Sequence, residues 1–166
     1  MRQTTRALAL AGLGVACLAG PATPATGVGD DIRRTTDQFL QSGSGGAGDV
    51  HAPLRRLLDI AADLGREARL PAPAQAKLDA ARAQARRLSP LDGTVRAAAA
   101  EAYAALDEGR AFAFPKEVGT IEQAKAHGRS QVERALAALS AGRPQEAARE
   151  VVGFVLLVIT PMEAKP

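Results

Sequence analysis

The chain has 166 residues, about the length of one domain, and a formal net charge of +3. Hydrophobic residues make up 46% of the sequence and aromatic residues only 3%, a composition that favours helices packed through small side chains over strands. The single cysteine excludes an internal disulfide, and the absence of a basic stripe interleaved with aromatic residues argues against a nucleic-acid-binding domain.

The first 27 residues have the three parts of a secretory signal peptide. Arg2 and Arg6 form its charged part, an apolar run follows, and small residues and prolines precede the expected cleavage after Ala25 or Gly27. The apolar run is too short to span a bilayer as a permanent helix. The sequence therefore predicts an exported, periplasmic protein, and removal of the two arginines lowers its net charge to about +1.

Cys17 lies inside this signal and has two interpretations. The stretch Gly14-Val15-Ala16-Cys17 looks like a lipobox, although Gly14 stands where that motif usually has Leu, Val or Ile. Lipidation of Cys17 would anchor the protein to the envelope, and we expect no other attachment to a membrane. The alternative is a small apolar residue in a discarded segment.

The signal is followed by a short leader. Residues 28–41 predict an amphipathic helix, and the sequence SGSGGAGD at 42–49 has the composition of a flexible linker. The chain is thus divided into a signal peptide (1–27), a short helix with its linker (28–49) and a helical domain (50–166).

Apolar residues recur at helical spacing through the domain. They predict helices over about 53–65 and 73–88, and a third that starts at Ser89-Pro90 and ends near Gly109, because serine caps helices and proline favours their first position. The second and third helices could instead form one long helix kinked at Pro90.

Residues 110–119 predict a non-helical connection, in which Phe112 and Phe114 plug one end of the bundle. Thr120 to Gln123 form a capping box that starts the next helix, 121–141. A last helix runs from Pro144 to Ile159, and Pro161 terminates it.

The apolar run 151–159 could enter a membrane, form a strand or be a buried helix. A spanning helix needs about 20 apolar residues, and no other stretch predicts a strand to pair with it. A helix that is apolar all round is a buried one, so we expect it in the centre of a bundle or at an interface with another polypeptide. The side chains expected there are Val151, Val152, Phe154, Val155, Leu156 and Ile159. The fold class is therefore all-α, a bundle of four to five helices.

The sequence carries no pattern of catalytic residues and none of a cofactor site. His51 and His127 are weak candidates for metal ligands, since their spacing fits no zinc, copper or iron site. We expect a protein that is not an enzyme.

Two short motifs resemble those of the Spy/CpxP-type periplasmic proteins and their heavy-metal-sensor relatives, in which Leu-Thr-x-x-Gln begins a long helix and a second copy closes the domain. Leu70 to Gln75 looks like the first copy, with one extra residue and no threonine, and Ile159-Thr160-Pro161 begins a stretch that looks like the second. The resemblance covers about residues 50–166.

The resemblance implies an all-helical subunit in an antiparallel homodimer that forms a shallow cradle. It also implies ATP-independent binding of polypeptide clients as a chaperone or envelope-stress accessory. A metal-sensing accessory that signals to a membrane sensor protein is the alternative within that resemblance, and a structural lipoprotein is a third hypothesis.

Overall fold

The computed structural model describes residues 24–42, 49–88 and 91–163, and these residues form α-helices without any β-strand. The prediction of an all-α bundle is confirmed. The described helices are α1 (Pro24–Gln41), α2 (His51–Glu67), α3 (Ala72–Arg87), α4 (Gly93–Leu106), α5 (Ile121–Ser140) and α6 (Pro144–Glu163).

The central helix is α6, which contacts α2, α4 and α5. Every residue from Val151 to Ile159 is buried. Since burial of a large aliphatic side chain stabilises a fold by roughly 1.5–3 kcal/mol, this stretch is a major source of stability. The expectation that it is a helix in the centre of a bundle is confirmed. Among the described residues, no helix is long and apolar enough to cross a bilayer.

Helix α1 packs between α2 and α5 and belongs to the same domain. It buries Ile32 and Phe39, and the edge of the Phe39 ring meets the Phe154 ring with centroids 5.8 Å apart. Asp31 also forms an ion pair with Arg56 of α2. The sequence grouped this helix with the linker, outside the domain; residues 43–48 of that linker lie outside the described residues.

The third and fourth helices differ from the prediction at their junction. α3 ends at Arg87, and Leu88 is extended, so the two are separate and not one kinked helix. The expected start at Ser89-Pro90 lies outside the described residues. The cap is Asp92, whose carboxylate accepts a hydrogen bond of 2.8 Å from the backbone N–H of Thr94.

The ends of α5 and α6 show one confirmed prediction and one wrong one. The capping box of Thr120 and Gln123 is present. Pro161 does not terminate α6, which continues to Glu163. Proline removes one backbone donor, and at this position the loss is confined to the last turn, while the ring is buried against the bundle.

Candidate functional site

A groove runs along α6 between α4 and α5, because these two helices both flank α6 while their backbones stay apart. Its cavity has a volume of about 360 Å³, at the small end of the range of about 300–1,000 Å³ typical of ligand sites. Tyr103 of α4, Gln131 and Arg134 of α5, and Glu150 and Leu157 of α6 line it.

The connection from α4 to α5 forms one wall of this groove. Phe112, Ala113 and Pro115 line it. The Phe112 ring meets Tyr103 edge-on at 5.1 Å and Phe114 at 6.4 Å between centroids. These aromatic side chains are half-buried. Tyr103 and Phe112 present ring surface to the groove, and Phe114 packs against Phe112.

The polar floor of the groove is built around Glu150, which is only 7% exposed. Its carboxylate accepts hydrogen bonds of 3.1 Å from Arg134 Nε and from Arg149. Arg149 also donates to Asp107, at the end of α4, over 2.9 Å. A buried carboxylate is tolerated only when it is paired in this way, and the pairs tie α4, α5 and α6 together.

The environment shifts two pKa values at the floor. Burial raises the pKa of the Tyr103 hydroxyl, and the negative charge of Asp107 raises it further. Burial disfavours the charged form of Arg149, but its hydrogen bonds to Glu150 and Asp107 outweigh that effect and raise its pKa. Tyr103 is therefore held as a neutral hydroxyl, and Arg149 as a cation.

Two buried polar atoms at the floor and wall of the groove lack a hydrogen-bond partner among the described residues, Arg149 Nε and Gln131 Oε1, and Gln131 is the one that lines the cavity. The side chain is 6% exposed, and its Oε1 atom has no hydrogen-bond partner in the described part of the chain. Its amide nitrogen lies against Gly153, close to where a Cβ atom would be, and the Tyr103 ring lies 3.3 Å from that position. A glycine in α6 thus makes the room that Gln131 occupies.

No protein-family model, curated protein or solved structure matches this chain significantly. The resemblance to the Spy/CpxP-type proteins stays a prediction, and the groove has to be interpreted from its own geometry.

The six side chains expected at a polypeptide interface lie inside the chain's own core. Val151, Val152, Phe154, Val155, Leu156 and Ile159 are each at most 3% exposed. The other helices of the same chain cover them, so none lies on its surface. Of the two places foreseen for this stretch, the structure shows the centre of the bundle.

The two histidines lie on different helices. His51 begins α2, where burial lowers its pKa, and His127 lies on α5 at the groove. In the described ranges, no group of three or more His, Cys, Asp or Glu residues is placed to hold a metal ion. Cys17 lies outside the described residues.

The family-like motif residues make contacts within the fold. Leu70 is half-buried against the core. Gln75, in the first turn of α3, packs against Gly65 and donates a hydrogen bond of 3.1 Å to the Ala62 carbonyl of α2. Thr160 bonds the Leu156 carbonyl of its own helix at 2.8 Å, and Pro161 is buried. None of the four lines the groove.

Sequence reasoning missed Tyr103, Gln131 and Glu150 as a group. One signal was available, because three of the five aromatic residues of the chain fall within positions 103–114. The polar residues gave no such signal, since each lies on a different helix and only the packing of α4 and α5 on α6 brings them together.

Proposed function

We propose that this protein binds other polypeptides in the groove between α4 and α5, without catalysing a reaction. The observation that carries the proposal is the wall of the groove. The backbone N–H and C=O groups of Ala111 to Phe114 make no hydrogen bond to any described residue. They lie beside a groove large enough for a short stretch of chain.

Unpaired backbone groups in an extended segment are a template for another chain. An extended peptide that lies along such a segment gains main-chain hydrogen bonds, which are largely independent of its sequence. Here Ala111 and Ala113 are exposed while Phe112 and Phe114 are half-buried, the alternation that extended backbone produces. The wall can therefore receive a polypeptide segment along its outer edge.

The aromatic cluster adds affinity that is likewise largely independent of the sequence of the bound peptide. Tyr103 and Phe112 present ring surface to the groove, and Phe114 supports the Phe112 ring edge-on. Aromatic rings bury large areas at little cost in side-chain entropy. A site built from main-chain groups and rings accepts many sequences. This agrees with the chaperone-like activity that the family resemblance implies, and it requires no nucleotide.

The test is suppression of aggregation. We expect the purified protein to keep a chemically denatured client soluble at near-stoichiometric ratios without nucleotide, and we expect the double variant Phe112→Ala/Phe114→Ala to lose most of this effect. Leu40→Ala removes a half-buried apolar side chain on α1, away from the groove, and should behave as the wild type. Absence of suppression by the wild type at about tenfold molar excess would contradict the proposal.

The place of action is part of the same proposal. We propose export to the periplasm, supported by the signal-like residues 1–27. Val28 packs against the core, and cleavage after Ala25 or Gly27 leaves it in the mature chain. Mass spectrometry of the protein recovered from the periplasm should give one of these two N-termini, or a lipidated Cys17 if the protein is anchored. Recovery of the intact chain from the cytoplasm would count against export.

A further inference from the structure

Six side chains among the described residues carry a buried polar atom without a hydrogen-bond partner, and Gln131 is the one of them that lines the groove. It is almost fully buried, yet its amide oxygen has no donor among the described residues. Buried side-chain oxygens nearly always have a partner. The side chain also lines the cavity between α4 and α5. The oxygen itself is closed off from solvent, so a ligand in the groove can supply the missing partner once the end of the side chain turns toward the cavity.

The described groups nearest to the Gln131 amide do not pair with its oxygen. Its amide lies over Gly153, which has no side chain, and beside the Tyr103 ring, whose edge offers no acceptor or strong donor. The two charged neighbours on the floor are already bonded to each other, Arg134 through Nε and Glu150 through Oε2 at 3.1 Å. Neither of these atoms is left for the Gln131 amide.

A carboxamide is chemically a copy of the peptide group. It carries one carbonyl acceptor and two N–H donors in a plane. It can therefore accept from a backbone N–H and donate to a backbone C=O of the same extended segment, as a neighbouring strand would. The unpaired segment Ala111 to Phe114 on the opposite wall offers the same groups.

We propose that Gln131 reads the main chain of a bound polypeptide, so that a client segment lies extended in the groove between Gln131 and the segment 111–114. The occupant is thus an extended stretch of another polypeptide, recognised through its backbone amides and selected for being unfolded. This inference rests on the proposed function and specifies how that site recognises its ligand.

Replacement of the amide should move stability and binding in opposite directions. Gln131→Met keeps an unbranched side chain of similar length and removes the buried unpaired oxygen, so its melting temperature should equal or exceed that of the wild type. Its affinity for a client should fall roughly tenfold, because one main-chain hydrogen bond is lost and the ligand amide is left unpaired. A merely structural Gln131 would give the reverse pattern, lower stability with unchanged affinity.

The second measurement changes the ligand and uses Gln131→Met as its control. The probe is a fluorescein-labelled seven-residue peptide of alternating Thr and Val with a central Leu, and its partner carries an N-methyl group on the central backbone amide. Fluorescence anisotropy should show that the methylated peptide binds the wild type roughly tenfold more weakly. The two peptides should bind Gln131→Met with similar affinity, since the receiving oxygen is gone.

Each outcome decides one of the two proposals. If neither the peptide nor a denatured client binds the wild type, the proposed function is wrong. If the wild type binds but Gln131→Met binds equally well, only the role of Gln131 is overturned. If Gln131→Met binds weakly while methylation has no effect on the wild type, Gln131 contacts a side chain of the client, and main-chain recognition is overturned.

Discussion

Helices α5 and α6 meet at two places where a glycine of one helix receives a large side chain of the other. At the first, Gly128 of α5 lies against Phe154 of α6, with a would-be Cβ 2.5 Å from the ring. At the second, Gly153 of α6 lies against Gln131 of α5. Successive residues of a helix point about 100° apart, so Phe154 enters the core while Gly153 faces the groove.

In both contacts a glycine leaves room for a large side chain of the other helix, but the two inserted side chains have different roles. Phe154 is 1% exposed and also meets Phe39 edge-on, so every surface of the ring is used for packing. Gln131 is nearly as buried, but its amide oxygen has no partner among the residues that the structure describes. Close packing is thus common to both, and only the chemistry of the inserted side chain separates a core contact from a candidate binding group.

Truncation of the inserted side chain at the first contact should have the largest effect. Phe154→Ala removes a buried ring from the centre of the bundle, and we expect it to lower the free energy of unfolding by about 3–5 kcal/mol. Phe112→Ala removes a half-buried ring at the groove and should cost about 1 kcal/mol. Denaturant unfolding of both variants checks the difference. Equal costs would mean that the groove wall is as essential to the fold as the core.

Replacement of each glycine by alanine should also distinguish the two contacts, by its effect on stability. Gly128→Ala places a methyl group against the Phe154 ring, which is packed on all sides, and overpacking of this kind costs about 1–3 kcal/mol of stability. Gly153→Ala meets the movable end of Gln131 and gains up to about 1 kcal/mol of helix propensity, so its stability should stay within about 1 kcal/mol of the wild type. Thermal unfolding measures both. Similar destabilisation by the two would show that Gln131 is fixed as rigidly as Phe154.

The smallest expected effect is electrostatic and concerns only the groove. Because burial and then Asp107 raise the pKa of Tyr103, the neutral hydroxyl favours the folded state. This contribution is fully present below the ordinary pKa of about 10 and is lost as pH rises through the raised value. Tyr103 is the only tyrosine and the chain has no tryptophan, so ultraviolet absorbance follows its ionisation directly. Asp107→Asn should lower this pKa but leave it above that of the unfolded chain; an unchanged pKa would exclude Asp107 as a cause.

The sequence predicted the helices better than it predicted the groove between α4 and α5. The capping box at Thr120 and the apolar run after Glu150 act locally, so both are visible in the sequence and both are confirmed. The cap of α4 was not foreseen, because several residues near Asp92 could serve as a cap and only the folded backbone shows that Asp92 does. The continuation of α6 past Pro161 was missed for a related reason, since packing against the bundle outweighs the loss of one terminal hydrogen bond.

The sequence by itself determined that the chain is helical and that its C-terminal stretch is buried, because periodicity and capping are local properties of consecutive residues. Only the tertiary structure decided which helix faces remain apart. α4 and α5 pack on α6 with their backbones apart, and that separation creates the groove. It also decided that Gln131 is buried without a donor, since the position of its amide depends on a glycine 22 residues away in sequence, on another helix.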